Sequence, residues 1–349
     1  MSDHPYTQLP TEAFWRESIS MRHPMEISDI YRPKFSIDKT QKIATAGSCF
    51  AQHFSKALKQ RGYNFIDEEP APNILEGNLI NKYNYEIYSA RYANIYTARQ
   101  MLQTLKRALG EFAPQDTAWY NNGRFFDPLR PLIEPAGYDS RAELDIARTA
   151  HLSAVKRVFE STDIFVFTFG LTEAWAHHVD GLVYPMCPGT VGGKFDPKLH
   201  KFHNFTFQEN YDDMVEFIEL ARILQPNMRF LLTVSPVPLT ATASGEHVLA
   251  ATVRSKSTLR TVCAEICDHF EYVDYFPSYE LISSPPFKGF FFEHDMRSVS
   301  ATGVDFAMTT FFRAHADDDN IDKNEKIGAP ELAQNELQCE EEILKGFGK

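Results

Sequence analysis

The sequence predicts an α/β fold in which helices cover both faces of a parallel sheet of about five strands. Short apolar runs of strand length alternate with segments of helical period along most of the chain. The apolar run 42–46 also ends in Gly47, and a helical pattern follows at once. In α/β enzymes a strand that passes through a tight glycine turn into a helix exposes a side chain at the carboxyl edge of the sheet. This junction is therefore the first candidate for a functional site.

The remaining elements follow in order along the chain. The run 164–169 is apolar without alternation, as expected for a strand buried on both faces. Gly62 marks the end of the first helix, because glycine readily adopts the left-handed conformation found there. The predicted strands are 42–46, 164–169, 230–234 and 272–276, and the predicted helices are 51–61, 97–109, 142–160, 208–224, 255–268 and 304–312.

We expect one domain over residues 36–314. A proline- and aromatic-rich arm, residues 1–35, precedes it, and a charged tail, residues 315–349, follows it. The tail is predicted to contain a short helix near 330–346 that caps the domain or contacts a partner. Residues 64–140 form a long insertion after the first helix, and such insertions usually build a lid or a wall of the substrate site.

Composition excludes several classes of protein. The net charge of −12 argues against a nucleic-acid partner, because phosphate binding needs a basic surface. No apolar run has the length of a membrane span, and the N-terminus lacks the basic start and apolar core of a signal peptide, so we expect a cytoplasmic protein. The five cysteines show no metal-binding spacing. We expect neither a metal nor a cofactor. The sequence leaves open whether the protein forms a homo-oligomer.

Four segments with candidate functional residues follow the ends of predicted strands. Because the carboxyl ends of parallel strands lie at one edge of a sheet, we expect these segments to meet there. In particular, Cys49 and Gly170 should lie within about 10 Å of each other. The four segments are 47–49, 170–175, 235–237 and 276–278.

The pentapeptide 47–51 reads GSCFA and resembles the signature of the GSCFA-domain family. The resemblance extends over roughly residues 40–312 and implies an SGNH-hydrolase-like, flavodoxin-like three-layer fold. It also implies an esterase or acyltransferase that acts on acyl esters. A carbohydrate ester is the favoured substrate, both from that resemblance and because the chain is rich in aromatic residues suited to sugar stacking. The other matching segments are 94–100, 168–175, 235–237 and 275–280.

Two residues of the GSCFA turn are candidate nucleophiles. Set against the esterase signature Gly-Asp-Ser-Leu/Phe, Cys49 takes the place of the catalytic serine. A thiolate there would be favoured by the partial positive charge of the helix N-terminus. A shift of one residue would make Ser48 the nucleophile instead. In a third interpretation, Cys49 is a small residue packed under the turn and Ser48 caps the helix.

The candidate base is less clear. The resemblance implies an Asp-x-x-His segment before the last helix, but this chain has Asp295 followed by Ser298 where the histidine would be. His294 and His247 are the possible replacements, and each is alternatively a surface residue. A cysteine depends less on a base than a serine does. The missing histidine supports a competing hypothesis, a non-catalytic binding module derived from an SGNH scaffold; a third is an acyl carrier that uses Cys49.

The resemblance also implies an oxyanion hole and substrate contacts at Asn94, Gly170, Thr172 and Glu173. Thr172 stands where an asparagine is common, and Ala93 replaces the usual glycine before Asn94, which would cost little if its φ angle is negative. Glu173 is a candidate to orient a histidine. The alternative is that Asn94 and Thr172 only stabilise turns and helix caps.

Overall fold

The computed structural model describes residues 4–316 and 340–348. The strands in these ranges are β1 (Ile43–Gly47), β2 (Trp119–Asn121), β3 (Arg124–Phe126), β4 (Ile164–Phe169), β5 (Glu173–His177), β6 (Val183–Tyr184), β7 (His200–Asn204), β8 (Arg229–Val234) and β9 (Val273–Tyr275). The helices are α1 (Ala51–Gln60), α2 (Asn78–Lys82), α3 (Ala98–Leu109), α4 (Arg141–Ser161), α5 (Phe207–Leu224), α6 (Val248–His269), α7 (Ser278–Ser283) and α8 (Ala301–Ala314). Short 3₁₀ or π turns occur in the N-terminal arm, and Glu340–Phe347 forms a 3₁₀ helix.

The central sheet is parallel, as predicted, with the strand order β1-β4-β8-β9. It contains four strands in the described part of the chain, whereas about five were expected. Beside β1, a single parallel bridge joins Ile43 to Phe65. A full strand at that position would give the order 2-1-3-4-5 of flavodoxin-like folds. Residues near Phe65 do not extend the pairing, so the sheet ends at β1.

Two apolar layers cover the two faces of the sheet. Side chains alternate between faces along a strand, and β4 shows this directly. Phe165, Phe167 and Phe169 belong to one buried cluster, which includes residues of α3, α4, α5 and α6. Ile164 and Val166 belong to the other cluster, which includes residues of α1, α7 and α8. The predicted three-layer α/β arrangement is therefore present.

The predicted elements lie close to the observed ones, with one larger difference at α6. This helix begins at Val248, seven residues before the predicted start. The side chain of His247 accepts a hydrogen bond from the Leu249 amide and caps the helix.

No helix in the described ranges is long and apolar enough to cross a membrane.

Part of the insertion is core rather than lid. Helix α3 packs against α4 and α5, and its Met101 and Leu105 are fully buried. The loop after β3 is held to α4 by buried Asp127, which pairs with Arg130 at 3.3 Å and with Arg148 at 3.6 Å. Burial acts to raise the pKa of Asp127, but these cations lower it to about 2.

Sequence reasoning missed a second sheet. Strands β6, β5 and β7 pair antiparallel in that order, and β5 starts four residues after β4 ends. This sheet lies beyond the carboxyl edge of the central sheet on the chain path, next to the candidate site. It supplies Trp175 and Phe202 to a cavity described below.

The junction between β1 and α1 depends on Gly47. Its φ angle is +139°, and a Cβ atom added there would lie 2.4 Å from the carbonyl oxygen of Thr168 on β4. We expect Gly47→Ala to lower the free energy of unfolding by at least about 3 kcal/mol, because backbone atoms must separate. Gly62→Ala is the matched control: Gly62 also has a positive φ, +71°, but open space around it.

Gly62→Ala should cost only about 1–2 kcal/mol, the usual penalty for a left-handed residue. Urea denaturation of both variants measures the difference. Equal losses in the two variants would mean that the contact with Thr168 does not constrain the junction.

Candidate active site

The glycine turn places Ser48 and Cys49 at the start of α1. The Ser48 amide donates to the Thr168 carbonyl at 3.0 Å, and the Ile95 amide donates to the Gly47 carbonyl at 2.8 Å. The Ala51 amide donates back to the Ser48 carbonyl at 2.8 Å, so the first helical turn already includes Cys49. The positive end of the α1 dipole therefore lies at these two side chains.

Ser48 and Cys49 line a small pocket at the carboxyl edge of the sheet, together with parts of the segments after β4 and β8. A Cβ atom on Gly170 would lie 3.2 Å from the Ser48 Cβ, so the two segments are in direct contact. The space inside is about 10 Å³, roughly enough for one water molecule. The remaining lining residues are Tyr96, Gly170, Leu171, Ser235, Val237, Pro238, Leu239 and Glu341.

Ser48 has an unsatisfied hydroxyl. Its side chain is buried, with the residue 2% exposed, and its Oγ atom has no hydrogen-bond partner among the described residues. Buried polar atoms without partners are uncommon in folded proteins, since they lose water without compensation. In a pocket wall such a hydroxyl can donate to, or accept from, a bound molecule.

Lys256 brings a buried positive charge to the site. It lies on α6, is 1% exposed, and donates from Nζ to the Gly170 carbonyl at 2.6 Å. Burial lowers the pKa of Lys256 to about 8, and the negative charges of Glu341 and Cys49 act in the opposite direction. Its Gly170 partner lines the same small pocket as Cys49, and a cation near a cysteine stabilises the thiolate form.

Lys256 was not among the predicted catalytic residues. Its burial could have been predicted from the spacing of residues in α6. Lys256 precedes the buried residues Leu259 and Cys263 by three and seven positions, so the three lie on one face of the helix. Arg260, its neighbour one turn later, pairs with Glu280 at 2.5 Å.

The predicted oxyanion groups are used within the fold. The amides of Gly170 and Leu171 both donate to the Tyr96 carbonyl, at 2.9 and 3.1 Å. The Thr172 amide donates to Ser255 Oγ at 2.9 Å, and its hydroxyl donates to Asn204 at 2.7 Å. These bonds hold the turn after β4 in place. They leave none of the three amides pointing at a substrate carbonyl.

Asn94 is buried beside the turn rather than in the wall of the small pocket. Its Oδ1 atom accepts from Gln52 Nε2 at 3.2 Å and from the Tyr88 hydroxyl. Ala93 has a φ angle of +60°, not the negative value under which the loss of glycine would cost little. This conformation costs a non-glycine residue about 1–2 kcal/mol.

The structure does not bring either candidate histidine into the pocket wall. His247 is exposed and caps α6, and His294 is exposed in the segment before α8. Partial burial acts to raise the pKa of Asp295, but hydrogen bonds from Ser298 and Arg297 lower it to about 2. Asp295 accepts from the Arg297 amide and from both the amide and hydroxyl of Ser298, so it stabilises its own turn.

Arg297, in the same segment, is the basic residue that reaches the site. It is 8% exposed, and its Nε atom donates to the Pro238 carbonyl at 3.1 Å in the pocket wall. Its guanidinium pairs with Glu341 at 3.0 Å. In this segment only His294 and Asp295 were predicted as site residues.

A larger cavity of about 310 Å³ adjoins the small pocket. Both share Tyr96, Leu171, Leu239 and Glu341 in their walls. Trp175, Tyr184 and Phe202 supply aromatic surface from the second sheet, and Leu344 and Phe347 supply apolar surface from the C-terminal 3₁₀ helix. Glu173 also lines this cavity.

The carboxylate of Glu173 accepts from the Thr242 hydroxyl at 2.8 Å. Burial raises the pKa of Glu173. The residue is therefore an acidic group in the wall of the large cavity, bound to a loop hydroxyl rather than to a histidine.

The model of the GSCFA family matches residues 42–311, which is most of the chain. The protein belongs to the GSCFA family. No curated protein sequence matches it. Among solved structures, it is similar to a carbohydrate esterase family 3 protein from Talaromyces cellulolyticus, with 11% identity over 78% of this chain and 94% of the other, and a TM-score of 0.31. At that score the likeness supports no conclusion about this member of the GSCFA family.

The electrostatic arrangement predicts how the pKa of Lys256 responds to substitution. Removing the Glu341 charge with Glu341→Gln should lower the pKa of Lys256 below about 8, and Arg297→Gln should raise it. Glu342→Gln is the matched control and should leave it unchanged. NMR titration of the ¹³Cε-labelled lysines measures these values, with the Lys256 signal assigned by its absence in Lys256→Arg. An ordinary lysine titration in the parent would contradict the arrangement.

Proposed function

We propose that this GSCFA protein is an SGNH-like acyl-ester hydrolase or acyltransferase in which Cys49 is the nucleophile and Lys256 supplies the charge that the missing histidine would provide. The buried ammonium group of Lys256, which donates to the Gly170 carbonyl in the wall of the Cys49 pocket, is the observation that carries the proposal. Cys49 lies at the N-terminus of α1, so the helix dipole and Lys256 act in the same direction. Both favour the thiolate.

In the acylation step, the Cys49 thiolate attacks the carbonyl carbon of the ester. A carbon–sulfur bond forms, the bond to the alcohol oxygen breaks, and a thioester remains on the enzyme. Lys256 donates a proton to the departing alkoxide and becomes a neutral amine. A pKa of about 8 suits this exchange, because the group can give and take a proton near neutral pH.

In the second step, a water molecule or an acceptor alcohol attacks the thioester. Neutral Lys256 takes the proton from the attacking oxygen, and the Cys49 thiolate leaves. The acid or the new ester is released, and Lys256 regains its positive charge. The same cycle thus gives hydrolysis with water and acyl transfer with an alcohol.

The developing oxyanion needs donors in the same pocket. The amides of 170–172 are bonded within the fold, so Ser48 is the better candidate. Its Oγ atom is buried, lines the pocket and has no partner among the described residues. We assign Ser48 the role of a hydrogen-bond donor to the substrate, next to the N-terminal turn of α1.

The large cavity supports an acyl ester of a carbohydrate as substrate. Its walls outside the C-terminal 3₁₀ helix come mainly from the second sheet and the neighbouring loops. Trp175 and Phe202 offer flat apolar faces, and Glu173 with Thr242 offers polar groups for hydroxyls. Such a combination suits a sugar ring bound beside the nucleophile pocket.

Intact-mass analysis after exposure to an aryl acyl ester tests the proposal. We expect a single acyl adduct at Cys49, which Cys49→Ala abolishes while the melting temperature stays nearly unchanged. Ser48→Ala should retain the adduct and lower the rate by roughly 10²-fold, typical for the loss of one oxyanion donor. Deacylation should rise with pH as Lys256 loses its proton, around pH 8, and Lys256→Met should remove this rise.

An adduct that persists in Cys49→Ala and disappears in Ser48→Ala would move the nucleophile to Ser48. No adduct with any ester, together with binding of the intact ester, would favour the competing hypothesis of a non-catalytic binding module. Retained deacylation and an unchanged pH profile in Lys256→Met would remove Lys256 from the mechanism.

A further inference from the structure

The C-terminal 3₁₀ helix, Glu340–Phe347, lies over the candidate site. Glu341 lines both the small pocket and the large cavity, and Leu344 and Phe347 line the large cavity. With Glu341 in place, the space beside Cys49 is only about 10 Å³. An ester carbonyl with its two substituents needs far more room than one water molecule. The docked segment and a bound ester therefore exclude each other.

The described part of the segment makes three ion pairs with the core. The Glu341 carboxylate pairs with Arg297 at 3.0 Å, and both side chains are about nine-tenths buried. Two outer pairs, Glu342 with Arg297 at 3.6 Å and Lys345 with Asp295 at 3.6 Å, involve half-exposed side chains. Exposed pairs of this kind contribute little to binding. The buried carboxylate of Glu341 is thus the anchor of the segment.

Arg297 stays with the core when the segment leaves. Its Nε atom is bonded to the Pro238 carbonyl, and its amide is bonded to Asp295. The departing segment takes two carboxylates away from the guanidinium, Glu341 and Glu342. A buried cation then needs another anion, because its desolvation is no longer offset. An arginine guanidinium binds carboxylates well, because the hydrogen bonds are charge-assisted and can form in parallel pairs.

We propose that Arg297 forms an anion-binding subsite beside Cys49, that Glu341 occupies it when the C-terminal segment is docked, and that the esters bound in its place carry a carboxylate. The substrate class rests on the proposed function, whereas the subsite and its occupation do not. Lys256 adds positive charge from behind the pocket, since the Glu341 carboxylate and Lys256 interact electrostatically.

Alkylation of Cys49 tests the subsite without any ester turnover. Iodoacetate and iodoacetamide are similar in size, but only the first carries a carboxylate. The rates at Cys49 are measured by peptide mapping in the full-length chain and divided by those of glutathione. We expect Glu341→Gln to raise both rates and to shift the ratio about tenfold toward iodoacetate, a factor equivalent to about 1.4 kcal/mol. Glu342→Gln is the matched control and should change little.

The role of Arg297 is tested in the Glu341→Gln background. Arg297→Gln should remove the preference for iodoacetate, whereas Arg297→Lys keeps the charge and should retain most of it, which separates a charge effect from damage to the fold. If the ratio of the iodoacetate rate to the iodoacetamide rate is the same with either Arg297 substitution as without it, the subsite hypothesis is wrong. Rates in Glu341→Gln that stay as slow as in the parent would overturn the occlusion by the segment.

The substrate class has its own test. In Glu341→Gln, the p-nitrophenyl monoester of succinate should have a higher kcat/KM than p-nitrophenyl butyrate, and Arg297→Gln should reverse this order. Equal values for the two esters would overturn the carboxylate preference even where the alkylation result supports the subsite. If neither ester is hydrolysed but the alkylation ratios change as expected, the proposed function is wrong, whereas the anion-binding subsite at Arg297 is supported.

Discussion

The close approach of Gly47 to Thr168 is the contact on which the site depends. Strands β1 and β4 pair up to this point, and only a glycine leaves room for the Thr168 carbonyl at the position of a Cβ atom. The chain can then turn from β1 into α1 across residues 48–50. Ser48 and Cys49 consequently lie at the carboxyl edge of the sheet and at the N-terminus of α1. They also lie next to the turn after β4.

Around this turn the protein concentrates cations, although its net charge is −12. Lys256 donates to the Gly170 carbonyl and Arg297 to the Pro238 carbonyl, both in the pocket wall, and both side chains are largely buried. Burying a charge is costly unless an opposite charge accompanies it. Here the Glu341 carboxylate pairs with Arg297 and interacts electrostatically with Lys256. Lys256, Arg297 and Glu341 therefore form one electrostatic unit next to the GSCFA turn.

The strand β4 and the glycine turn could be predicted from the sequence, because short local patterns of residues determine them. The continuous apolar run 164–169 identified β4, and the glycine turn identified the position of Ser48 and Cys49. The second sheet was missed because β5 and β7 contain histidines and charged residues that obscure their alternation. Lys256 and Arg297 were missed as site residues because the burial of a long cation depends on contacts distant in sequence. Much of the predicted tail helix, 330–346, lies outside the described residues.

The central claim is that the acyl group is carried by sulfur at the glycine turn. Carbon-13 NMR with an ester labelled at its carbonyl carbon tests this directly, since a thioester carbonyl resonates well downfield of an oxygen ester. Lys256→Met is the protein to use with an aryl ester, because an aryl oxide leaves without a proton from Lys256 and the intermediate should then accumulate. The account predicts a protein-bound thioester signal that disappears in a variant with the additional change Cys49→Ala. A protein-bound signal at the oxygen-ester position would contradict it.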